Sequence, residues 1–101
     1  QTVREQKHNY SRIEGLTGYL AEAMQGEAAK RRICLQVSHY GTMFSIRFAH
    51  QEQFKKFYGI LLERGIFFAP SQSEANFLSF AHTSAEIKDT IDIVRYALTK
   101  L

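Results

Sequence analysis

Two alternating runs, separated by almost nothing, constrain this chain more than any other feature. Ile33-Cys34-Leu35-Gln36-Val37-Ser38-His39 alternates and is rich in β-formers. Thr42-Met43-Phe44-Ser45-Ile46-Arg47-Phe48 alternates again, with Phe44, Ile46 and Phe48 on one face and Met43, Ser45 and Arg47 on the other. Tyr40-Gly41 reads as the turn between them. Strands joined this tightly can only run antiparallel, because a parallel return needs a crossover of a dozen residues or more. A hairpin with one apolar face needs a cover, and helical sequence flanks it on both sides.

The first helix is marked by Ile13, Leu16, Thr17, Leu20 and Met24, which recur at three- and four-residue steps. Ser11-Arg12-Ile13-Glu14 has the form of a capping box, although a helix beginning upstream would make Ser11 an interior residue. Gly15, Gly18 and Gly26 weaken this helix, so it depends on packing. A second helix runs from about Gln51 to Arg64, with Phe54, Phe57, Tyr58, Leu61 and Leu62 as its stripe and Gly65 as its stop. Ile66-Phe67-Phe68-Ala69 reads as a short strand ended by Pro70, the only proline, and Phe77 to Ala81 as another. Thr83-Ser84-Ala85-Glu86 is a second capping box, opening a helix with Ile87, Ile91, Val94, Leu98 and Leu101 on one face. The order is α-β-β-α-β-β-α: an α+β fold with a small, mainly antiparallel sheet of three to four strands and three helices packed against it.

With 101 residues the chain forms a single domain. Hydrophobic residues are 45% of the total, too many for a disordered segment. The net charge of +3 is mild, and Lys30-Arg31-Arg32 and Lys55-Lys56 read as solvated helix faces, with Arg31 and Arg32 also complementing the end of the first helix. One cysteine, Cys34, excludes an internal disulfide and reads as a small core residue in a reducing compartment. No stretch has the roughly 20 apolar residues of a membrane span. The polar start, without methionine or an apolar signal core, suggests a piece of a longer protein.

Classical site motifs are missing. The four histidines, His8, His39, His50 and His82, have no zinc-ligand spacing, and His82 reads as a structural residue of its loop. There is no phosphate-cradling glycine loop and no nucleophile elbow. Gly41-Thr42-Met43-Phe44-Ser45-Ile46-Arg47-Phe48 loosely matches the aromatic strand of an RNA-recognition domain, but Phe44 and Phe48 share a face with Ile46, as core residues do. What stands out is Pro70-Ser71-Gln72-Ser73-Glu74-Ala75-Asn76, a polar run pinned between apolar pieces. Folds place chemistry on such loops. Glu74, among serines and amides, could be hydrogen-bonded and held toward a cleft.

Taken together, Gly41-Thr42-Met43-Phe44, Leu62-Glu63-Arg64-Gly65-Ile66, Pro70-Ser71-Gln72-Ser73-Glu74-Ala75, Phe77-Leu78-Ser79 and Ala81-His82-Thr83 resemble the C-terminal part of the glutamate-1-semialdehyde 2,1-aminomutases. Ile13-Glu14-Gly15-Leu16-Thr17 and Leu20-Ala21-Glu22 resemble that family's helix leading into the small domain, so the resemblance spans nearly everything after Tyr10. It implies residues 1–101 are the small domain of a class-III, fold-type-I pyridoxal-phosphate enzyme, a cytoplasmic or plastid homodimer that makes 5-aminolevulinate for tetrapyrroles. It implies a large cofactor domain as partner, no nucleic acid and no membrane. It places Glu74 on the substrate side of the active site, in polar contact and charge balance, with Ser71 and Gln72 shaping the same loop.

No catalytic residue, cofactor ligand or metal ligand is expected in this chain itself. Lys55, Lys56, Lys88 and Lys100 lie on helix surfaces or ends, where a Schiff-base lysine would not be activated. Thr42, Ser73 and Asn76 depart from the family's usual serine, aromatic and glycine, and the segment from Phe48 to Phe54 is short. These departures leave open another class-III aminotransferase with a different ω-amino or semialdehyde substrate. A stand-alone α+β binding or regulatory domain is the further alternative. Exposed apolar surface on the separated domain implies self-association.

Overall fold

The computed structural model describes residues 3–79 and 82–101, with side chains from Lys7 onward. Its elements are α1 (Val3–Lys30), β1 (Leu35–Tyr40), β2 (Met43–Phe48), α2 (Gln51–Glu63), β3 (Asn76–Phe77) and α3 (Ser84–Thr99). The fold is α+β, with three helices and a three-stranded antiparallel sheet in the order β1-β2-β3 among the described residues.

The hairpin forms as its alternation requires. Leu35, Val37 and His39 pair with Phe48, Ile46 and Phe44. Phe44, Ile46 and Phe48 are buried against the helices. Phe48 meets Phe57 of α2 at 5.1 Å between ring centroids, and Phe44 meets Phe68 edge-on at 5.3 Å. Each such ring, moved from water into the core, contributes about 1.5–3 kcal/mol. The turn lies one residue later than the sequence indicates: Tyr40 pairs with Met43, and Gly41-Thr42 make the bend. Gly41 has φ +59°, the left-handed value that a first central glycine supplies in a two-residue hairpin turn. Phe44 and Phe48 are thus core residues, as their shared face with Ile46 implies, and neither is an exposed stacking ring.

Cys34 is exposed, not a core residue. It shares its alternation with Gln36 and Ser38, the outward set, while Leu35 begins the inward one. Ser11 does not cap α1, because the helix begins at Val3 and Ser11 lies in its interior. The 28 residues of α1 give a rod about 42 Å long at 1.5 Å per residue, which accounts for the 45 Å long axis of the molecule. It buries Ile13, Thr17, Leu20, Met24 and Ala28, and the Thr17 hydroxyl donates to the Ile13 carbonyl at 2.8 Å, so its polarity is satisfied inside. Gln25, also on α1, donates from Nε2 to the Leu35 carbonyl (2.7 Å) and accepts from the Val37 N–H (2.8 Å).

Gly65 ends α2 as expected, with φ +85°, while the Ile66 N–H reaches back to the Leu61 carbonyl at 2.9 Å. On α2, Phe54, Phe57 and Leu61 are buried; Leu62, assigned to the same stripe, is exposed. The Thr83–Glu86 capping box is present in full: the Thr83 hydroxyl accepts from the Glu86 N–H, and the Glu86 carboxylate accepts from the Thr83 N–H. Ile87, Ile91, Val94, Ala97 and Leu98 of α3 then complete the core.

The expected strand at Ile66–Ala69 is irregular. Ile66 and Phe68 pack against the core, but no ladder forms there among the described residues, and the Ala69 N–H donates at 2.6 Å to the side chain of Asn76 instead. The last strand is Asn76–Phe77, and it pairs with Phe44 and Met43. Of the expected strand Phe77 to Ala81, Phe80 and Ala81 lie outside the described residues.

A charge cluster fastens α1 to α3. Glu27 is only 7% exposed. Its carboxylate accepts from Arg31 at 2.6 Å and faces Arg95 of α3 at 3.3 Å and Lys30 at 3.5 Å. The Arg31 hydrogen bond, aided by Arg95 and Lys30, holds the Glu27 carboxyl below its usual range although burial pushes it up. A lowered folded-state value means stability that is present above the ordinary carboxyl range and lost as pH falls through the lowered value. Urea denaturation should therefore show stability falling on acidification below about pH 4.3. Glu27→Gln should be less stable at neutral pH by about 1 kcal/mol, since the cations retain access to water, and should lose less on acidification.

Candidate functional site

Residues 70–75 form a loop fixed by its own amides. Asn76, at the start of β3 and nearly buried, closes its base through the bond from the Ala69 N–H. Gln72 anchors its middle: Oε1 accepts from the N–H of Phe48 at the end of β2, and Nε2 donates to Gln51 Oε1 of α2 at 2.9 Å. The Glu74 N–H donates to the Ser71 carbonyl at 3.2 Å, and the Ser71 and Ser73 hydroxyls share a hydrogen bond of 2.8 Å. Ser71 and Gln72 thus act within the loop, and Glu74 is presented outward. Its side chain is exposed and makes no hydrogen bond or ion pair with the described residues.

The loop stands beside the face of the sheet that no described helix covers. The cross-strand pairs on that face are Gln36–Arg47, Ser38–Ser45 and Tyr40–Met43, and β3 extends the last pair with Phe77. Tyr40 is 81% exposed, Phe77 67% and Met43 38%, an uncovered apolar row across three strands. Between the loop and this face lies a cavity of about 260 Å³, lined by residues that include Ser38, Tyr40, Ser45, Arg47, Gln72 and Glu74. A larger cavity of about 460 Å³ lies between Ile66–Phe68, β3 and α3 and is lined mainly by apolar groups such as Leu20, Phe44, Leu78 and Ile87. It is lined by none of Ser71, Gln72 and Glu74, so the smaller cavity is the candidate.

His82 serves its loop. Its Nδ1 accepts from the Ser79 N–H at 2.9 Å, and its carbonyl accepts from Arg12 of α1 at 2.7 Å. No group of three metal-ligating side chains occurs among the described residues, and no helix there is long and apolar enough to cross a membrane. The sequence marks Asn76 only as a departure from a family pattern and gives Arg47 a face of β2 but no role. The first has a local structural role, closing the base of the loop, and no sequence pattern signals it. The second lies in the outward set of β2, and the alternation already placed it there.

No protein-family model matches the chain. Its fold is similar to that of three solved structures. One is an omega-transaminase from Sphaerobacter thermophilus (TM-score 0.80, 21% identity, covering 91% of this chain and 24% of that one). Another is a transaminase with PLP bound (TM-score 0.82, 19% identity, 92% and 23%). The third is the PLP internal aldimine form of the FumI protein of Sphingopyxis sp. MTA144 (TM-score 0.75, 20% identity, 87% and 22%). The chain spans less than a quarter of the length of these three proteins, and at this identity the likeness is one of fold.

If Asn76 closes the loop, Asn76→Ala leaves the Ala69 N–H without its acceptor. The expected cost is about 1–2 kcal/mol. Amide exchange at Ala69 should accelerate in the variant, while exchange in α3 keeps its order.

Proposed function

We propose that the chain is the small domain of a class-III aminotransferase-type pyridoxal-phosphate enzyme, and that the enzyme is a glutamate-1-semialdehyde 2,1-aminomutase. The observation that carries this reading is the fold match of nearly the whole chain to part of two transaminases and of a third protein, FumI, in its PLP internal aldimine form. The motif that resembles the aminomutases, Pro70-Ser71-Gln72-Ser73-Glu74-Ala75, also forms a braced loop beside an open cavity. In this reading Glu74 faces the substrate across that cavity, and Ser71 and Gln72 keep the loop in shape. The intact enzyme is a cytoplasmic homodimer that converts glutamate-1-semialdehyde to 5-aminolevulinate, and its large cofactor domain docks against this one.

The residues present do not fit the cofactor. All six lysines of the chain are exposed, so none has the desolvation that activates a Schiff-base lysine. Pyridoxal phosphate belongs to the large domain on this reading, and the small domain contributes orientation and electrostatics.

A second reading is favoured by Thr42, Ser73 and Asn76, which depart from the aminomutase pattern, and by neighbours that are transaminases. It keeps the domain and changes the substrate to another ω-amino or semialdehyde compound.

The test compares this chain with the longer protein containing it. Incubated with pyridoxal phosphate, the chain alone should develop no visible band of lysine-bound cofactor, and the longer protein should. In the longer protein Glu74→Ala should lower kcat/KM on glutamate-1-semialdehyde by about ten-fold or more, the loss of one charged contact. Turnover of other amino donors without action on the semialdehyde would select the second reading. A visible band in the chain alone would overturn the assignment of the cofactor to the large domain, and unchanged kinetics in the variant would remove Glu74 from the site.

A further inference from the structure

The cavity beside Glu74 contains a second charged group. Arg47 lies on the uncovered face of β2, in register with Gln36 of β1 and one pair away from Ser38–Ser45. Along a strand, Ser45 and Arg47 are about 6.6 Å apart on the same face, and neighbouring strands are about 4.8 Å apart. Arg47, Ser45 and Ser38 therefore form a compact donor floor, with Tyr40 at its edge. Like Glu74, none of these four side chains makes a hydrogen bond or ion pair with the described residues. Among those residues Arg47 and Glu74 are the one guanidinium and the one carboxylate lining the cavity, and they do not pair with each other.

Their separation is built in. Arg47 is fixed to the central strand of the sheet, and Glu74 to a loop braced by Gln72 and Asn76. A cation and an anion held apart across one cavity are complementary to a molecule carrying the opposite charges at its two ends. A guanidinium offers two parallel N–H donors to a carboxylate, which a lone hydroxyl cannot do.

We infer that Arg47 is a specificity-determining residue of the Glu74 cavity, which takes a small dipolar molecule with its carboxylate on Arg47 and its ammonium facing Glu74. The inference deepens the proposed function by naming the charged groups the site selects. It depends on that reading only for what happens to the molecule once bound. Because the cavity is open on one side and both charges are hydrated, binding by this chain alone is weak, on the order of millimolar.

The test is a titration of the isotopically labelled chain with 4-aminobutyrate, followed by amide chemical shifts at Ser45–Arg47 and Ser73–Glu74. Butyrate and butylammonium are the single-charge controls. Saturable shifts are expected with 4-aminobutyrate, at least about ten-fold weaker with either control and in Arg47→Gln or Glu74→Gln, as for the loss of one charged contact. Both side chains are exposed, and thermal melts should show both variants folded. Absence of saturable shifts up to about 0.1 M, equal shifts with butyrate, or unaltered binding by Arg47→Gln would each overturn the inference. That failure would leave the aminotransferase reading standing, and failure of the cofactor test on the longer protein would leave the binding intact.

Discussion

Everything in this fold depends on the burial of Phe44, Ile46 and Phe48 by helices on one side of the sheet. Three alternating residues of the central strand give α1 and α2 a surface to pack on, and α3 packs on those two helices to close the same core. A sheet with both faces covered would need apolar residues at Met43, Ser45 and Arg47 as well, and the chain supplies them at only one of the three. The sheet is one-sided for that reason, and its other face is left for Ser38, Ser45, Arg47 and the exposed row of Tyr40, Met43 and Phe77.

The loop that carries Glu74 exists in its observed form because of the same sheet. β3 pairs with only two residues of β2, so the rest of β2 lacks a strand neighbour on that side among the described residues. Gln72 makes up part of the deficit by taking the Phe48 N–H with a side-chain oxygen. Satisfying a strand with a loop amide, where a further strand could have done so, sets a polar loop against the bare face and creates the cavity between them. The polar loop and the one-sided sheet are therefore two aspects of one arrangement, in a fold similar to part of two transaminases and of the FumI protein.

What could be read in the sequence was whatever repeats or caps. The period of two in the hairpin, the glycine stop after α2 and the Thr83–Glu86 box are local rules, and each holds. Cys34 went wrong because a local pattern can be continued past its proper end, here by one residue into the wrong alternation set; of the two readings of Ser11 the interior one holds, because the helix begins at Val3. Ile66–Ala69 has strand composition but no ladder, and composition does not register whether a partner strand is within reach. At the site, Glu74 could be located from the polar run around it. The roles of Gln72 and Asn76 could not, because bonds from side-chain amides to distant backbone have no period.

Gln25 has a consequence beyond its two hydrogen bonds. Its amide flanks Gln36 by accepting from one backbone neighbour and donating to the other, the pattern a parallel strand would present. β1 is the rim of the sheet, and an open rim is a template for recruiting another chain. A single side chain from α1 counterfeits the missing strand and closes that template where it would otherwise begin. The chain can thus leave the row of Tyr40, Met43 and Phe77 to solvent while the Leu35 carbonyl and the Val37 N–H of the β1 rim are already taken, so that a second copy finds neither group free to pair.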